Sequence, residues 1–136
     1  MIGLDTNILV RYLTQDEPGQ SREAADEIEK GLAEGHTFFI ADIVLCELVW
    51  VLETAYTYDR REIAPVLENI LRTRQFQFEN KDLLWKSLAD YRTKKGDFAD
   101  HLIAQAGHKS GCRETLTFDA GLKNSPLFRV LKFPSL

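Results

Sequence analysis

Short β-branched or aromatic runs alternate with long helical stretches along the whole chain, and this alternation narrows the folds open to it. Residues 2–4 are apolar, and Asp5-Thr6-Asn7 then caps a helix over 8–13. Helices are expected over 18–34, with Pro18 suited to a first turn, and over 43–56 after Asp42 as a cap. Further helices are expected over 60–74, from Asn80 or Asp82 to about 95, and over 97–109. Strands fit 37–40, 76–78, 115–118 and 130–133. Strands that alternate with helices predict an α/β fold, a three-layer αβα sandwich around a central, mostly parallel sheet. With 136 residues and no linker, repeat or low-complexity segment, one domain is expected over 1–136.

Net charge is −4, from 17 basic and 21 acidic residues. A protein that gathers nucleic acid through its overall field is usually basic. Any nucleic-acid contact here must come from a local basic patch or from a metal that reverses the sign of an acidic site. Cys46 and Cys112 are isolated thiols, which build neither a zinc site nor a disulfide framework. The chain opens on Met-Ile-Gly-Leu-Asp without a signal pattern, and no apolar run approaches membrane-spanning length. A cytoplasmic protein without membrane contact is expected.

Four acids stand out. Asp5 and Asp119 each follow a strand, and parallel sheets gather function at the carboxyl ends of their strands. Helix capping is the plain alternative for Asp5, and turn chemistry for Asp119. Glu47 is the only charge in Ile-Val-Leu-Cys-Glu-Leu-Val-Trp-Val-Leu, and its helical neighbours Ile43, Val44, Trp50 and Val51 are apolar. This predicts a poorly hydrated carboxylate that must pair, bind metal or protonate. A structural ion pair is the alternative. Asp97 reads as a helix cap and Asp100 as the third helical residue, beside an inward face carrying Ala99, Ile103 and Ala104 and extended by Phe98, Leu102 and Ala106.

Clustered carboxylates repel unless a cation intervenes. Magnesium, held by one or two carboxylates plus water and phosphate oxygens, meets that need, and manganese accepts similar sites. The matching chemistry is metal-assisted phosphodiester hydrolysis. His36 reads as solvent-facing, and His101 and His108 as surface or core-edge residues. No phosphate-binding glycine loop is present.

The stretch Leu4-Asp5-Thr6-Asn7-Ile8-Leu9-Val10 resembles the opening of PIN-domain nucleases. Glu47 fits their second acid, Asp97-Phe98-Ala99-Asp100-His101-Leu102-Ile103-Ala104 the stretch holding the third, and Leu116-Thr117-Phe118-Asp119 the element holding the fourth. At this length the chain is most similar to VapC-type toxins of toxin–antitoxin pairs. The resemblance implies an endoribonuclease using magnesium or manganese, a homodimer, and a cognate antitoxin that blocks the site. Carried over, Asp5 and Asp100 would be the main metal ligands, with Glu47 and Asp119 completing the site. Thr6, Asn7 and Thr117 would support it, and Asp97 stays open between ligand and cap.

Arg11, Lys94 and Lys95 are the candidates for RNA phosphate contacts. Trp50, Leu52, Tyr56 and Tyr58 suit either a dimer or antitoxin contact or internal packing. Two other readings compete. One is a structure-specific DNA nuclease or a phosphatase on a similar acid site, outside toxin–antitoxin systems, although a phosphatase of the haloacid dehalogenase type would want Asp-x-Asp where Asp5-Thr6-Asn7 stands. A receiver-like signalling module would want a phosphoacceptor aspartate near Asn80.

Overall fold

The computed structural model describes residues 1–132. The chain divides into two compact units, Met1–Lys81 and a second from Asp82 onward, and each is described by itself.

In the first unit, β1 (Ile2–Gly3), β2 (Phe38–Phe39) and β3 (Phe76–Gln77) form a parallel sheet in the order β1-β2-β3. The register pairs Ile2 with Phe38 and Phe38 with Phe76. The strands are shorter than the apolar runs suggest, but the ladder continues past them. Leu4 N–H donates to the Phe39 carbonyl and Ile40 N–H to the Gln77 carbonyl, both within 3.0 Å. The rings of Phe38 and Phe76 meet edge to face at 6.3 Å. A Cβ at Gly31 would overlap the Phe38 ring, so only glycine lets its helix lie this close to the sheet.

Four helices accompany this sheet: α1 (Thr6–Thr14), α2 (Pro18–Ala33), α3 (Asp42–Thr54) and α4 (Arg60–Arg72). Pro18 opens α2 behind Glu17, whose side chain caps it. Asp59 and Glu62 close a reciprocal capping box on α4. Helix α4 buries Ile63, Ala64, Leu67, Ile70 and Leu71, one face at helical spacing. Asp42 is not the cap of α3. Ala41 holds that position, and Asp42 enters the first turn, where its N–H donates to Glu79 Oε2 at 2.9 Å.

The second unit contains α5 from its second residue (Lys81–Thr93), α6 (Phe98–Lys109), β4 (Thr115–Thr117) and β5 (Phe128–Val130). A 3-10 turn, Ala120–Leu122, lies between the strands. Strands β4 and β5 pair in parallel, Thr115 with Phe128 and Thr117 with Val130. The last strand starts two residues before the apolar run expected at 130–133, and Phe133 lies outside the described residues. Tyr91 and Phe98 are buried with rings edge to face at 6.0 Å. Every strand pairing among the described residues is parallel.

Candidate active site

The first unit places Asp5 where β1 ends and α1 begins. Its backbone is extended, and Oδ1 accepts the Thr6 N–H at 2.7 Å. The cap role is therefore real, and it occupies one oxygen only. The Thr6 hydroxyl donates to Glu47 Oε1 at 3.1 Å, which ties the start of α1 to the middle of α3. Asp5 Oδ2 and Glu47 Oε2 take part in neither bond. Both acids line one cleft of about 470 Å³ with Thr6, Asn7, Val10, Arg11, Val51, Ala55 and Tyr56.

Glu47 corrects an expectation. It is exposed, and so are Ile43 (67%) and Trp50 (65%) one turn to either side. Helix α3 covers Val44, Leu45, Leu48, Val49 and Leu52 instead, so Glu47 stands on its open face and reaches water freely. Glu47 is therefore not forced to pair or protonate, and its position on an open cleft suits a residue that meets a ligand. Trp50 is likewise no core residue, whereas Leu52 is buried and Tyr56 and Tyr58 are half-buried with rings 6.2 Å apart.

Arg11 is already engaged. Its Nη1 donates to Asp16 Oδ1 and to the Tyr56 hydroxyl, each at 3.3 Å, and its Nε donates to Gln20 Oε1 at 2.8 Å. The Tyr56 hydroxyl donates to Asp16 Oδ2 at 2.6 Å. Asp16 was not singled out in the sequence; its only signal there is its place just past the end of the helix that carries Arg11.

At the carboxyl ends of β2 and β3, Asp42 and Glu79 form a second acid contact that sequence reading missed. Burial, then the charge and hydrogen bond of Glu79, push the Asp42 carboxyl up to about 6. Burial, with Asp42 and Glu47 adding, pushes the Cys46 thiol up to about 11, so this cysteine stays protonated and unreactive. Cys112 is free and exposed.

In the second unit, Asp97 caps α6 through a reciprocal box with Asp100: the Asp97 N–H donates to Asp100 Oδ2 at 2.9 Å. Asp100 is half-buried. Ile103 is 58% exposed, so the inward face of α6 is Phe98, His101, Leu102 and Ala104. Asp119 caps the 3-10 turn, its Oδ1 accepting the Gly121 N–H at 2.8 Å, while the Thr117 hydroxyl accepts the Asp119 N–H at 3.1 Å. Gly96 (φ +110°) joins these elements. A Cβ there would lie 2.5 Å from Leu122 of the 3-10 turn and 3.4 Å from Asp100 Oδ2.

His101 is fully buried rather than a surface or core-edge residue, and its Nε2 donates to the Lys95 carbonyl at 2.9 Å. Of the lysine candidates, Lys94 is committed to Asp90, with Nζ 2.8 Å from Oδ1. Burial works against ionisation of Asp90, but Lys94 and Gln105 outweigh it and hold the carboxyl below its usual range. Lys95 is exposed.

Among the described residues no three His, Cys, Asp or Glu side chains converge as a ready metal cage. Magnesium does not ask for one, since one or two carboxylates with water and phosphate oxygens suffice. Asp5 and Glu47 on one open cleft, all oxygen and with one oxygen each outside the bonds above, fit that requirement.

The chain belongs to the PIN domain family, whose model matches residues 2–126. The α/β class with parallel strands, expected from the sequence, is the class found. Within that family, the chain is similar to the VapC ribonuclease of Aquifex aeolicus (strain VF5), 30% identical over 121 residues that make up 88% of each chain. The likeness read from the four motifs is borne out by both findings. No helix among the described residues is long and apolar enough to cross a membrane.

Proposed function

We propose that the protein is a magnesium-dependent endoribonuclease and the toxin of a toxin–antitoxin pair, with Asp5, Glu47, Asp100 and Asp119 as its catalytic acids. The observation that carries this reading is the cleft on which Asp5 and Glu47 stand together, bridged by Thr6. Family membership and the likeness to a VapC ribonuclease support it. Asp5 and Asp100 are the main metal ligands, Glu47 and Asp119 complete the site, and manganese can replace magnesium.

The bound metal supplies an activated water and neutralises charge on the phosphate. The chain's own residues prepare for it. Asp5 is fixed by the Thr6 N–H with one oxygen turned to other use. Glu47 is aimed by the Thr6 hydroxyl. Asp100 is held by the Asp97 N–H, and Asp97 is read as a cap ahead of a ligand. Thr117 orients Asp119 through its N–H. Asn7 lines the cleft beside Asp5. Arg11, Lys94 and Lys95 meet RNA phosphates, Arg11 and Lys94 through the donors left over from their bonds to Asp16 and Asp90.

The apolar face of Ile43 and Trp50 supports a homodimer, and a cognate antitoxin would block the acid cleft. Such a toxin acts in the cytoplasm. The test is incubation with single-stranded RNA, single-stranded DNA and a phosphate monoester in magnesium, using wild type and Asp100→Asn. Cleavage of RNA by the wild type alone is expected. Equal activity of the two, or hydrolysis of the monoester alone, contradicts the reading.

A further inference from the structure

The cleft that carries Asp5 and Glu47 is acidic, and an RNA phosphate entering it needs a cation nearby. Of the nine described residues lining it, Arg11 is the one cation and Tyr56 the one aromatic. Both are held by Asp16, which is not among the lining residues. The Asp16 carboxylate collects the Tyr56 hydroxyl at 2.6 Å, the Thr14 hydroxyl at 2.8 Å and Arg11 Nη1 at 3.3 Å. The bonds from Tyr56 and Thr14 hold its carboxyl below the usual range, so it is charged throughout the neutral pH range.

The backbone beside this network is unusual at both ends. Gln15 (φ 56°) precedes Asp16, and Thr57 (φ 55°) follows Tyr56. They are the two non-glycine residues with positive φ among those described. A β-branched threonine in this region is a true outlier, and such conformations persist where the surroundings over-determine them, often at ligand clamps. The Arg11–Asp16 pair is 31% and 43% exposed, and an isolated pair of that kind contributes little to stability.

We propose that Asp16 is a positioning residue that holds Arg11 and Tyr56 as a nucleotide clamp on the acid cleft. Arg11 takes the phosphate next to the scissile one, and the Tyr56 ring stacks the base of an unpaired strand. Anchored through Nε and Nη1, the guanidinium presents Nη2, which enters none of these bonds, already oriented. Unpaired RNA bases are commonly held by stacking on aromatic rings. This inference rests on the reading that the cleft hydrolyses RNA, and it adds the strand geometry and the residue that imposes it.

The test is steady-state cleavage of an unpaired RNA oligonucleotide in magnesium by wild type, Asp16→Ala, Tyr56→Phe, Arg11→Ala and the Arg11→Ala/Asp16→Ala double variant, with Tm recorded for each. Anisotropy of the same labelled RNA in calcium gives its Kd independently of turnover. Asp16→Ala is expected to raise KM and Kd about tenfold, and Tyr56→Phe, which keeps the ring and loses only the bond to Asp16, to raise them by less, with the loss falling on KM rather than kcat. In the Arg11→Ala background, Asp16→Ala is expected to add a smaller loss than it causes alone, because one of the two groups it holds is already gone and only Tyr56 remains to be released. A merely structural role would lower Tm and kcat without that split. Cleavage by the wild type with unchanged KM and Kd in Asp16→Ala, or full additivity in the double variant, overturns the clamp and leaves the nuclease reading standing. RNA binding that depends on Asp16 without any cleavage by the wild type overturns the nuclease reading and keeps the clamp. Absence of both binding and cleavage overturns both.

Discussion

The Thr6 hydroxyl lies 3.1 Å from Glu47 Oε1 and donates to it across 41 positions of sequence. Thr6 also gives its N–H to Asp5 Oδ1 at 2.7 Å, so one residue orients two acids that line the same cleft. Removing the hydroxyl frees Glu47 without touching either carboxylate. Thr6→Ala should therefore lower kcat for RNA cleavage about five- to tenfold, in line with roughly 1 kcal/mol for such a bond. Tm should change little, and Thr6→Ser should restore most of the rate. Steady-state kinetics with a thermal melt checks this.

The capping box of α6 separates two roles that share a short sequence. Asp97→Ala removes the cap, which costs about 1 kcal/mol of stability, and should leave kcat within a few-fold of wild type. Asp100→Asn keeps an oxygen for the Asp97 N–H and should lose cleavage with a smaller change in Tm. Thermal denaturation and cleavage measured on both variants check the assignment. Loss of turnover in Asp97→Ala at unchanged Tm would make Asp97 a ligand.

Asp42 and Glu79 give the fold a pH dependence of definite sign. The Asp42 carboxyl is raised to about 6, by burial first and Glu79 second. Between about pH 4, the unfolded value, and about 6, the folded protein holds a proton that the unfolded chain has released. Stability from this contact is thus fully present below that window and falls as pH rises through it. The site is partly exposed, so after screening the effect is about 1 kcal/mol. Asp42→Asn should raise Tm by a few degrees at pH 7.5 and not at pH 4, as read from melts across that range.

Gly96 is the most constrained glycine of the second unit. Its φ is +110°, and a Cβ would lie 2.5 Å from Leu122 and 3.2 Å from His101 Nε2. Gly96→Ala combines backbone strain with a clash against buried side chains and should cost about 2–4 kcal/mol. Chemical denaturation measures it.

The strand–helix alternation was legible because hydrophobic period separates the two element types. The boundaries were less so: the last strand falls two residues early, and Ala41 rather than Asp42 caps α3. The apolar neighbours of Glu47 do not bury it. An apolar helix sequence does not say which of its faces the fold covers, and α3 leaves Ile43, Glu47 and Trp50 open. The commitment of Lys94 was readable, since Asp90 stands four residues before it. The Asp16–Tyr56 contact was not. It joins residues 40 positions apart and depends on left-handed turns at Gln15 and Thr57, neither a residue type that announces positive φ.

The central claim is that Asp5 is needed for its carboxylate charge and not for its capping bond. Asparagine caps a helix about as well as aspartate but brings no negative charge to a metal. The most direct measurement is the rate of single-stranded RNA cleavage by wild type and Asp5→Asn in magnesium, each repeated with excess EDTA, with Tm recorded alongside. The expected result is a fall of at least about 100-fold for Asp5→Asn, matching the EDTA-treated wild type, with Tm held within a few degrees. Cleavage by Asp5→Asn at the wild-type rate, or wild-type cleavage that survives EDTA, would contradict it.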